Sequence, residues 1–146
     1  MGASDRPPRA VLFACGQNSI RSPMAAALYR QMFGRAVASA GVRKGDLDGF
    51  AVAAMNEIGI DISEHQPMTF EELEDLEEGL DFDLIVTLAP EAHHKEIELT
   101  HRLAAEVEYW PTADPTVIEG NREQRLDAYR AVRDQLMQRV RERFTA

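Results

Sequence analysis

The sequence contains the stretch Ala10-Val-Leu-Phe-Ala-Cys15-Gly-Gln-Asn-Ser-Ile-Arg21-Ser22-Pro23, which brings an apolar run, a thiol, a guanidinium and a hydroxyl close together along the chain. The apolar run over residues 11–14 predicts a short buried strand. Pro23 suits the first position of a helix, and Ser22 suits the N-cap before it. We therefore expect a strand, a short loop and a helix N-terminus to follow one another directly.

The loop between this strand and this helix has the composition of an oxyanion cradle. Its backbone N–H groups can point inward, and Arg21 can close the ring with a bidentate guanidinium. A helix N-terminus carries partial positive charge and unsatisfied donors, so it favours both a bound phosphate and the thiolate form of Cys15. The stretch predicts a phosphate-binding loop with a cysteine nucleophile. The residues expected to form the loop are Gly16, Gln17, Asn18, Ser19, Ile20 and Ser22.

This stretch resembles the phosphate-binding loop of the low-molecular-weight protein tyrosine phosphatase family, in which a Cys, five residues, an Arg and a Ser follow the first strand. The resemblance implies that Cys15 is the nucleophile and that Arg21 clamps the transition state. It also implies that the Ser22 hydroxyl stabilises the thiolate, and that Asn18 holds a strained turn of the loop. Asn suits that turn because it tolerates the left-handed region. The matching residues are Cys15, Asn18, Arg21, Ser22 and Pro23.

An Asp-Pro pair, Asp114-Pro115, lies near the C-terminus. A thiolate that attacks a phosphate ester needs a proton for the leaving group, and the resulting phosphocysteine needs an activated water. The family has an Asp-Pro pair after its last strand and before its last helix, where this pair is predicted. The resemblance therefore implies that Asp114 is first a general acid and then a general base. Taken alone, Asp-Pro is also a common turn initiator.

Two further segments are similar to the family outside the loop. The stretch Ala38-Ser39-Ala40-Gly41 resembles a Ser-Ala-Gly stretch that follows the family's second strand. Residues 59–65 resemble a family segment that contributes a histidine. The resemblance implies that Ser39 and His65 form hydrogen bonds to Asn18 and brace the loop. A single histidine, taken alone, is as readily a solvated or structural one.

The rest of the chain alternates predicted strands with predicted helices. This alternation predicts an α/β fold, a three-layer sandwich in which a central parallel sheet of about four strands is flanked by helices on both faces. Ligands of such open sheets bind beyond the carboxyl ends of the strands. Cys15, Ser39 and Asp114 each lie at or after the carboxyl end of a predicted strand, so we expect them to converge on one edge. The further strands are expected at 36–40, 81–88 and 105–110, and the helices at 23–33, 50–58, around 70–80, 90–99 and 122–144.

Length, charge and cysteine content limit the function further. The 146 residues fit a single domain over 1–146, with 1–8 a frayed tail and with neither a transmembrane span nor a signal peptide. A net charge of −9 argues against a nucleic acid or an anionic membrane as partner. The single cysteine cannot form an internal disulfide, and a reactive thiol survives best in a reducing compartment, so we expect a cytoplasmic protein.

We expect neither a cofactor nor a metal. The acidic run over residues 71–78 is expected to be an exposed helix face, with Phe70, Leu73, Leu76 and Leu80 turned inward. His93 and His94 are adjacent, and neighbours on a helix point in different directions.

The loop and its surroundings depart from the family in ways that affect substrate choice. Gln17 stands where the family has glycine, and Ile20 replaces a second cysteine. The family's flanking aromatic residues are absent. The corresponding positions of this chain hold Thr116 and Val117 on one side, and Val42, Arg43 and Lys44 on the other. Without stacking rings, we expect a weaker preference for a flat phenyl phosphate. We expect Arg43 and Lys44 to attract an anionic substrate.

The sequence therefore predicts a cysteine-dependent phosphomonoester hydrolase of the protein tyrosine phosphatase type, acting on a phosphorylated protein or a small aryl phosphate. Two alternatives stay open. One is an arsenate reductase, which would need an external thiol because this chain has no second cysteine. The other is a non-catalytic module that binds a phosphorylated partner. The sequence predicts no oligomeric state.

Overall fold

A computed structural model of the chain describes residues 8–76, 82–99 and 105–145. Its sheet has four parallel strands in the order β2-β1-β3-β4. The central strand β1 is buried along its whole length, because helices cover both of its faces. The strands are β1 Ala10–Cys15, β2 Ala36–Gly41, β3 Leu84–Thr87 and β4 Glu106–Tyr109.

Two apolar cores lie on the two faces of the sheet. Alternate residues of β1 serve the two cores, because successive side chains of a strand point to opposite faces. Helices α1, α2 and α5 pack on the face of Val11 and Phe13, whereas α3 and α4 pack on the face of Leu12. The predicted three-layer α/β fold is confirmed. The helices are α1 Arg21–Phe33, α2 Gly49–Asn56, α3 Phe70–Leu76, α4 Pro90–Leu99 and α5 Arg122–Phe144.

The start of α1 differs from the prediction. The helix begins at Arg21, its N-cap is Ile20, and no side chain caps it. The prediction that Ser22 is the N-cap and Pro23 the first helical residue is therefore wrong. The reason is that the Ser22 hydroxyl is held between Asn18 and the thiol of Cys15, which leaves the first N–H groups of the helix uncapped.

The remaining boundaries agree with the prediction to within a few residues. Strand β3 begins at Leu84, and the carboxylate of the preceding Asp83 accepts the N–H groups of Arg9 and Ala10 at the start of β1. Phe70 and Leu73 are buried as predicted. Residues 1–7 of the expected tail over 1–8, the remainder of the acidic run and the side chains of Leu76 and Leu80 lie outside the described residues. In the described part of the chain, no helix is long and apolar enough to span a membrane.

Candidate active site

The loop after β1 is held from outside by the segment that follows β2. Four loop carbonyls, beginning with that of Cys15 and ending with that of Ser19, accept hydrogen bonds of 2.9–3.2 Å from N–H groups between Val42 and Asp48. In a trans peptide the C=O and the N–H of the following residue point in opposite directions. Because these loop carbonyls point outward, the N–H groups that follow them in the loop point inward. The inward donors belong to Gly16, Gln17, Asn18 and Ile20.

This close contact of loop and segment depends on a glycine at the end of β2. A Cβ on Gly41 would lie 2.7 Å from the backbone N of Asn18 and 2.7 Å from the carbonyl O of Arg43. Both neighbours are backbone atoms and cannot rotate away. Only glycine therefore allows the end of β2 to approach the loop this closely.

Cys15 ends β1 at the base of the loop and is 2% exposed. Its Sγ lies 2.9 Å from the Oγ of Ser22. The same Oγ accepts a 2.8 Å hydrogen bond from the Nδ2 of Asn18. Because this bond occupies the Ser22 oxygen as an acceptor, the hydroxyl proton is available to the sulfur, and donation to sulfur stabilises a thiolate.

Asn18 is the centre of the network behind the nucleophile. It is fully buried with φ 55°, in the left-handed region that the resemblance implied. Its Oδ1 accepts a 2.9 Å bond from the N–H of Met68 and lies 3.1 Å from the Nε2 of His65, which is also 3.2 Å from the Asn18 carbonyl O. Burial, together with the charge of Arg30, outweighs the bond to Asn18 and lowers the pKa of His65, so the neutral imidazole donates through Nε2–H.

Ser39 does not take the place that the resemblance implied. The side-chain amide of Asn18 is occupied by Ser22, His65 and Met68, and among the described residues Ser39 makes no hydrogen bond to it. Ser39 instead lines a separate cavity of about 470 Å³ beside His65, and Cys15 is not part of that lining. The N–H of Met68 takes its place as a donor to Asn18. It is a backbone group, so the residue type does not reveal it in a sequence.

Arg21 and Asp114 line the same small cavity as Cys15, with a volume of about 90 Å³. The Nη1 of Arg21 donates a 2.9 Å bond to the carbonyl of Thr112, which fixes the guanidinium from its outer side. The Oγ1 of Thr112 in turn donates a hydrogen bond to the carbonyl of Trp110, the residue directly after β4. Thr112 was not recognised from the sequence, because it acts through its backbone.

The carboxylate of Asp114 is held in its ionised form. Burial favours the neutral acid, but the side-chain and backbone donors of Thr116 and the charge of Arg21 outweigh it, so the pKa of Asp114 lies below its ordinary value. The two Thr116 bonds measure 2.6 Å from Oγ1 and 2.9 Å from N. A dianion bound beside Asp114 would act in the opposite direction, because like charges favour protonation of a carboxylate.

The rim of the cavity holds an ion pair that the sequence did not reveal. The Nη1 of Arg43 lies 2.6 Å from the Oε2 of Glu91 in the first turn of α4. Glu91 follows the carboxyl end of β3, and the rule that ligands bind at that edge could have identified it. Gln17 is exposed, its side chain runs along Gly45, and it also reaches the rim.

The contacts of the adjacent histidines are those of a structural residue at His93. The Nδ1 of His93 lies 3.0 Å from the Oγ1 of Thr87, and its ring stacks on Tyr109 at 4.6 Å between centroids. Within residues 8–76, 82–99 and 105–145, no three His, Cys, Asp or Glu side chains cluster in a way that could hold a metal ion.

Comparison with known proteins gives a consistent set of relatives. The sequence model of the family described as low molecular weight phosphotyrosine protein phosphatase matches residues 10–146. The chain is 34% identical over 135 residues to an arsenate reductase of Halalkalibacterium halodurans, covering 91% of this chain and 93% of that protein. A low molecular weight protein tyrosine phosphatase of T. tengcongensis superposes with a TM-score of 0.71 at 25% identity, over 90% of this chain and 94% of that one. An arsenate reductase in the phosphate binding state superposes with a TM-score of 0.69 at 29% identity, over 92% and 95%.

Proposed function

The chain belongs to the low molecular weight phosphotyrosine protein phosphatase family, and from that premise we propose that it is a cysteine-dependent phosphomonoester hydrolase of the protein tyrosine phosphatase type. One observation carries the proposal: Cys15, with Ser22 Oγ 2.9 Å from its sulfur, shares one small cavity with Arg21 and Asp114. A nucleophile, a clamp for anionic oxygens and a proton carrier are the groups that hydrolysis through a phosphocysteine requires. The proposed substrate is a phosphorylated protein or a small aryl phosphate.

The loop supplies the binding step. Its inward N–H groups and the free N–H groups of Arg21 bind the non-bridging oxygens of the phosphoryl group. These donors are fixed before the substrate arrives, because the loop carbonyls are bound on the outside and Arg21 is bound to Thr112. Preorganised donors stabilise transition-state charge without reorganising during the reaction.

In the first displacement, the sulfur of Cys15 attacks phosphorus in line with the ester oxygen. The S–P bond forms as the P–O bond breaks, and the leaving oxygen takes a proton from Asp114. The products of this step are a phosphocysteine and the free alcohol or phenol. The pKa of Asp114 is low without substrate. The negative charge of the bound phosphoryl group therefore has to raise this pKa before Asp114 can carry the proton.

In the second displacement, Asp114 removes a proton from water, and the water oxygen attacks the phosphorus of the phosphocysteine. The S–P bond breaks, inorganic phosphate is released and Cys15 leaves as a thiolate. The Ser22 hydroxyl donates to the departing sulfur. Asp114 loses this proton to solvent once inorganic phosphate has left, because its pKa is low in the free site.

An arsenate reductase is the second candidate, and it is favoured by the names of the relatives that are 29–34% identical to this chain. In that reaction the Cys15 thiolate forms an S–As bond with arsenate as one As–O bond breaks, and the displaced oxygen leaves as water after it takes up protons. An external thiol then attacks the Cys15 sulfur, so that arsenite leaves with two electrons and a mixed disulfide remains, which a second external thiol reduces. Both reducing thiols must be external, because the chain has one cysteine.

Two parallel assays test the proposal. The first measures hydrolysis of 4-nitrophenyl phosphate by the natural chain and by Cys15→Ala. The second measures NADPH consumption with arsenate, glutathione, glutaredoxin and glutathione reductase. Cysteine-dependent hydrolysis without arsenate-dependent NADPH consumption supports the phosphatase, and the reverse pattern supports the reductase. Phosphate binding without activity in either assay would favour a non-catalytic module.

We also propose a cytoplasmic location. The support is chemical: a single nucleophilic cysteine without a neighbouring thiol cannot protect itself as an internal disulfide, so its activity depends on a reducing environment.

A further inference from the structure

Glu91 places a carboxylate at the wall of a cavity that is otherwise arranged to receive an anion. It lines the same cavity as Cys15 and Asp114. Asp114 has a role in proton transfer, but Glu91 has none in the proposed mechanism. A second carboxylate beside a bound dianion is unfavourable unless positive charge compensates it.

Arg43 compensates only one side of this carboxylate. Its Nη1 lies 2.6 Å from Oε2 of Glu91, and its backbone N–H is bound to the carbonyl of Gly16 at 2.9 Å, so the pair is tied to the loop. Oε1 of Glu91 receives no hydrogen bond from any of the residues that the structure describes. It lies against Gly16, the residue that follows Cys15 in the chain.

Gly16 makes room for this oxygen. A Cβ on Gly16 would collide with Oε1 of Glu91. In the sequence, glycine stands directly after Cys15 and Gln17 occupies the next position. Gly16 thus leaves space for the Glu91 carboxylate at the cavity wall, and the cavity lining contains no aromatic ring among the described residues.

We propose that Glu91, held by Arg43, is a specificity-determining residue that accepts a hydrogen bond from a cationic N–H donor on the leaving group. The inference rests on the proposed hydrolase function and names its substrate class: phosphate monoesters that carry an ammonium group close to the phosphate. Such a donor would pair with Oε1 and offset the repulsion between Glu91 and the phosphoryl group.

The test compares two substrates that differ by one ammonium group, 3-(aminomethyl)phenyl phosphate and 3-methylphenyl phosphate. The measured quantity is the preference for the ammonium substrate, which is its kcat/KM divided by that of the methyl substrate. Comparing this preference between the natural chain and a variant cancels the difference in intrinsic reactivity of the two substrates. The variant is Glu91→Gln. The matched control is Glu71→Gln, which removes the same charge from an exposed pair with Lys95 that does not line the cavity.

We expect Glu91→Gln to lower the preference for the ammonium substrate about fivefold, as for a hydrogen bond to a partly exposed charged group. Glu71→Gln should change it less than about twofold, because exposed charges at a distance are screened. Arg43→Gln should raise the preference, because it releases Oε2 as well. Equal ratios for Glu91→Gln and Glu71→Gln would overturn the proposal.

A binding measurement separates this inference from the hydrolase function. Dissociation constants of the same two phosphates are measured by calorimetry on Cys15→Ala, with and without Glu91→Gln. If the natural chain hydrolyses neither phosphate, the hydrolase function fails, and the ratio of dissociation constants decides the role of Glu91. A ratio that falls with Glu91→Gln supports the role, and an unchanged ratio refutes it.

Discussion

Replacing Ser22 by Ala tests how the thiolate is stabilised. The Ser22 hydroxyl is fully buried, it is 2.9 Å from the sulfur of Cys15, and its oxygen is occupied by the Nδ2 of Asn18. Its proton therefore has one acceptor in this network, the sulfur. The substitution removes a donor to a charged atom without adding bulk.

The magnitude follows from the charge on the sulfur. A hydrogen bond to a charged group contributes about 1.5–3 kcal/mol. In the second displacement the sulfur leaves as a thiolate, so most of this stabilisation is lost from the transition state of that step. At about 1.36 kcal/mol per tenfold change, breakdown of the phosphocysteine should slow roughly 10- to 150-fold. The first displacement starts from the thiolate and should slow less.

Stopped-flow release of nitrophenol from 4-nitrophenyl phosphate measures this effect. We expect Ser22→Ala to show a burst of about one nitrophenol per chain followed by a slow steady rate. Thermal unfolding of the same variant reports the separate cost of leaving Asn18 Nδ2 without an acceptor, about 1–3 kcal/mol.

Ser39→Ala is the matched control, because Ser39 is a buried serine near the loop that has no bond to Asn18 or Cys15 among the described residues. Its steady rate should stay within about twofold of the natural chain. A loss of turnover in Ser39→Ala equal to that in Ser22→Ala, or a Ser22→Ala variant with unchanged turnover, would refute the reasoning.

Three further predictions concern the acid, the loop and the histidine. Asp114→Asn should lower kcat on phenyl phosphate by about 10²–10³ and lower it much less on 4-nitrophenyl phosphate, because a poor leaving group needs the proton; equal losses on both substrates would contradict the assignment. Gly41→Ala should destabilise the fold by about 1–3 kcal/mol in urea unfolding, because its Cβ meets two backbone atoms at 2.7 Å, whereas Gly49→Ala, where a Cβ meets nothing within 4 Å, is the control. The pKa of His65 lies below its ordinary 6.5 in the folded chain, so the unfolded chain binds a proton first as the pH falls. The free energy of unfolding should therefore decrease as the pH drops through and below 6.5. The natural chain should lose more stability between pH 7 and pH 5 than His65→Gln, and parallel curves of stability against pH would count against the buried neutral imidazole.

The layer order and most element boundaries could be predicted because they depend on local patterns. Alternating apolar strands and amphipathic helices allow little besides a parallel sheet covered on both faces. The bounds predicted for α4 and α5 match those of the structure, and the structure adds a capping box of Asn121 with Gln124 at the start of α5. The family resemblance supplied Cys15 as the nucleophile to be tested.

The parts that could not be predicted depend on contacts between distant segments. The donor from Met68 to Asn18 and the acceptor at Thr112 for Arg21 are backbone groups, which every residue carries. The collision that Gly16 avoids requires knowing where the side chain of Glu91 lies, 75 residues later in the chain. The cap of α1 was wrong for a related reason, because Ser22 bonds within the site and not to its own helix.

Direct detection of the covalent intermediate tests the central claim. The chain is mixed with 4-nitrophenyl phosphate, quenched within the burst and mapped by mass spectrometry for the residue that carries phosphate, in Ser22→Ala to slow its breakdown and in Cys15→Ala as control. The account predicts one phosphoryl group per chain on Cys15 of Ser22→Ala and none on Cys15→Ala. Turnover of the substrate without phosphate on Cys15, or the same phosphate content in Cys15→Ala, would contradict it.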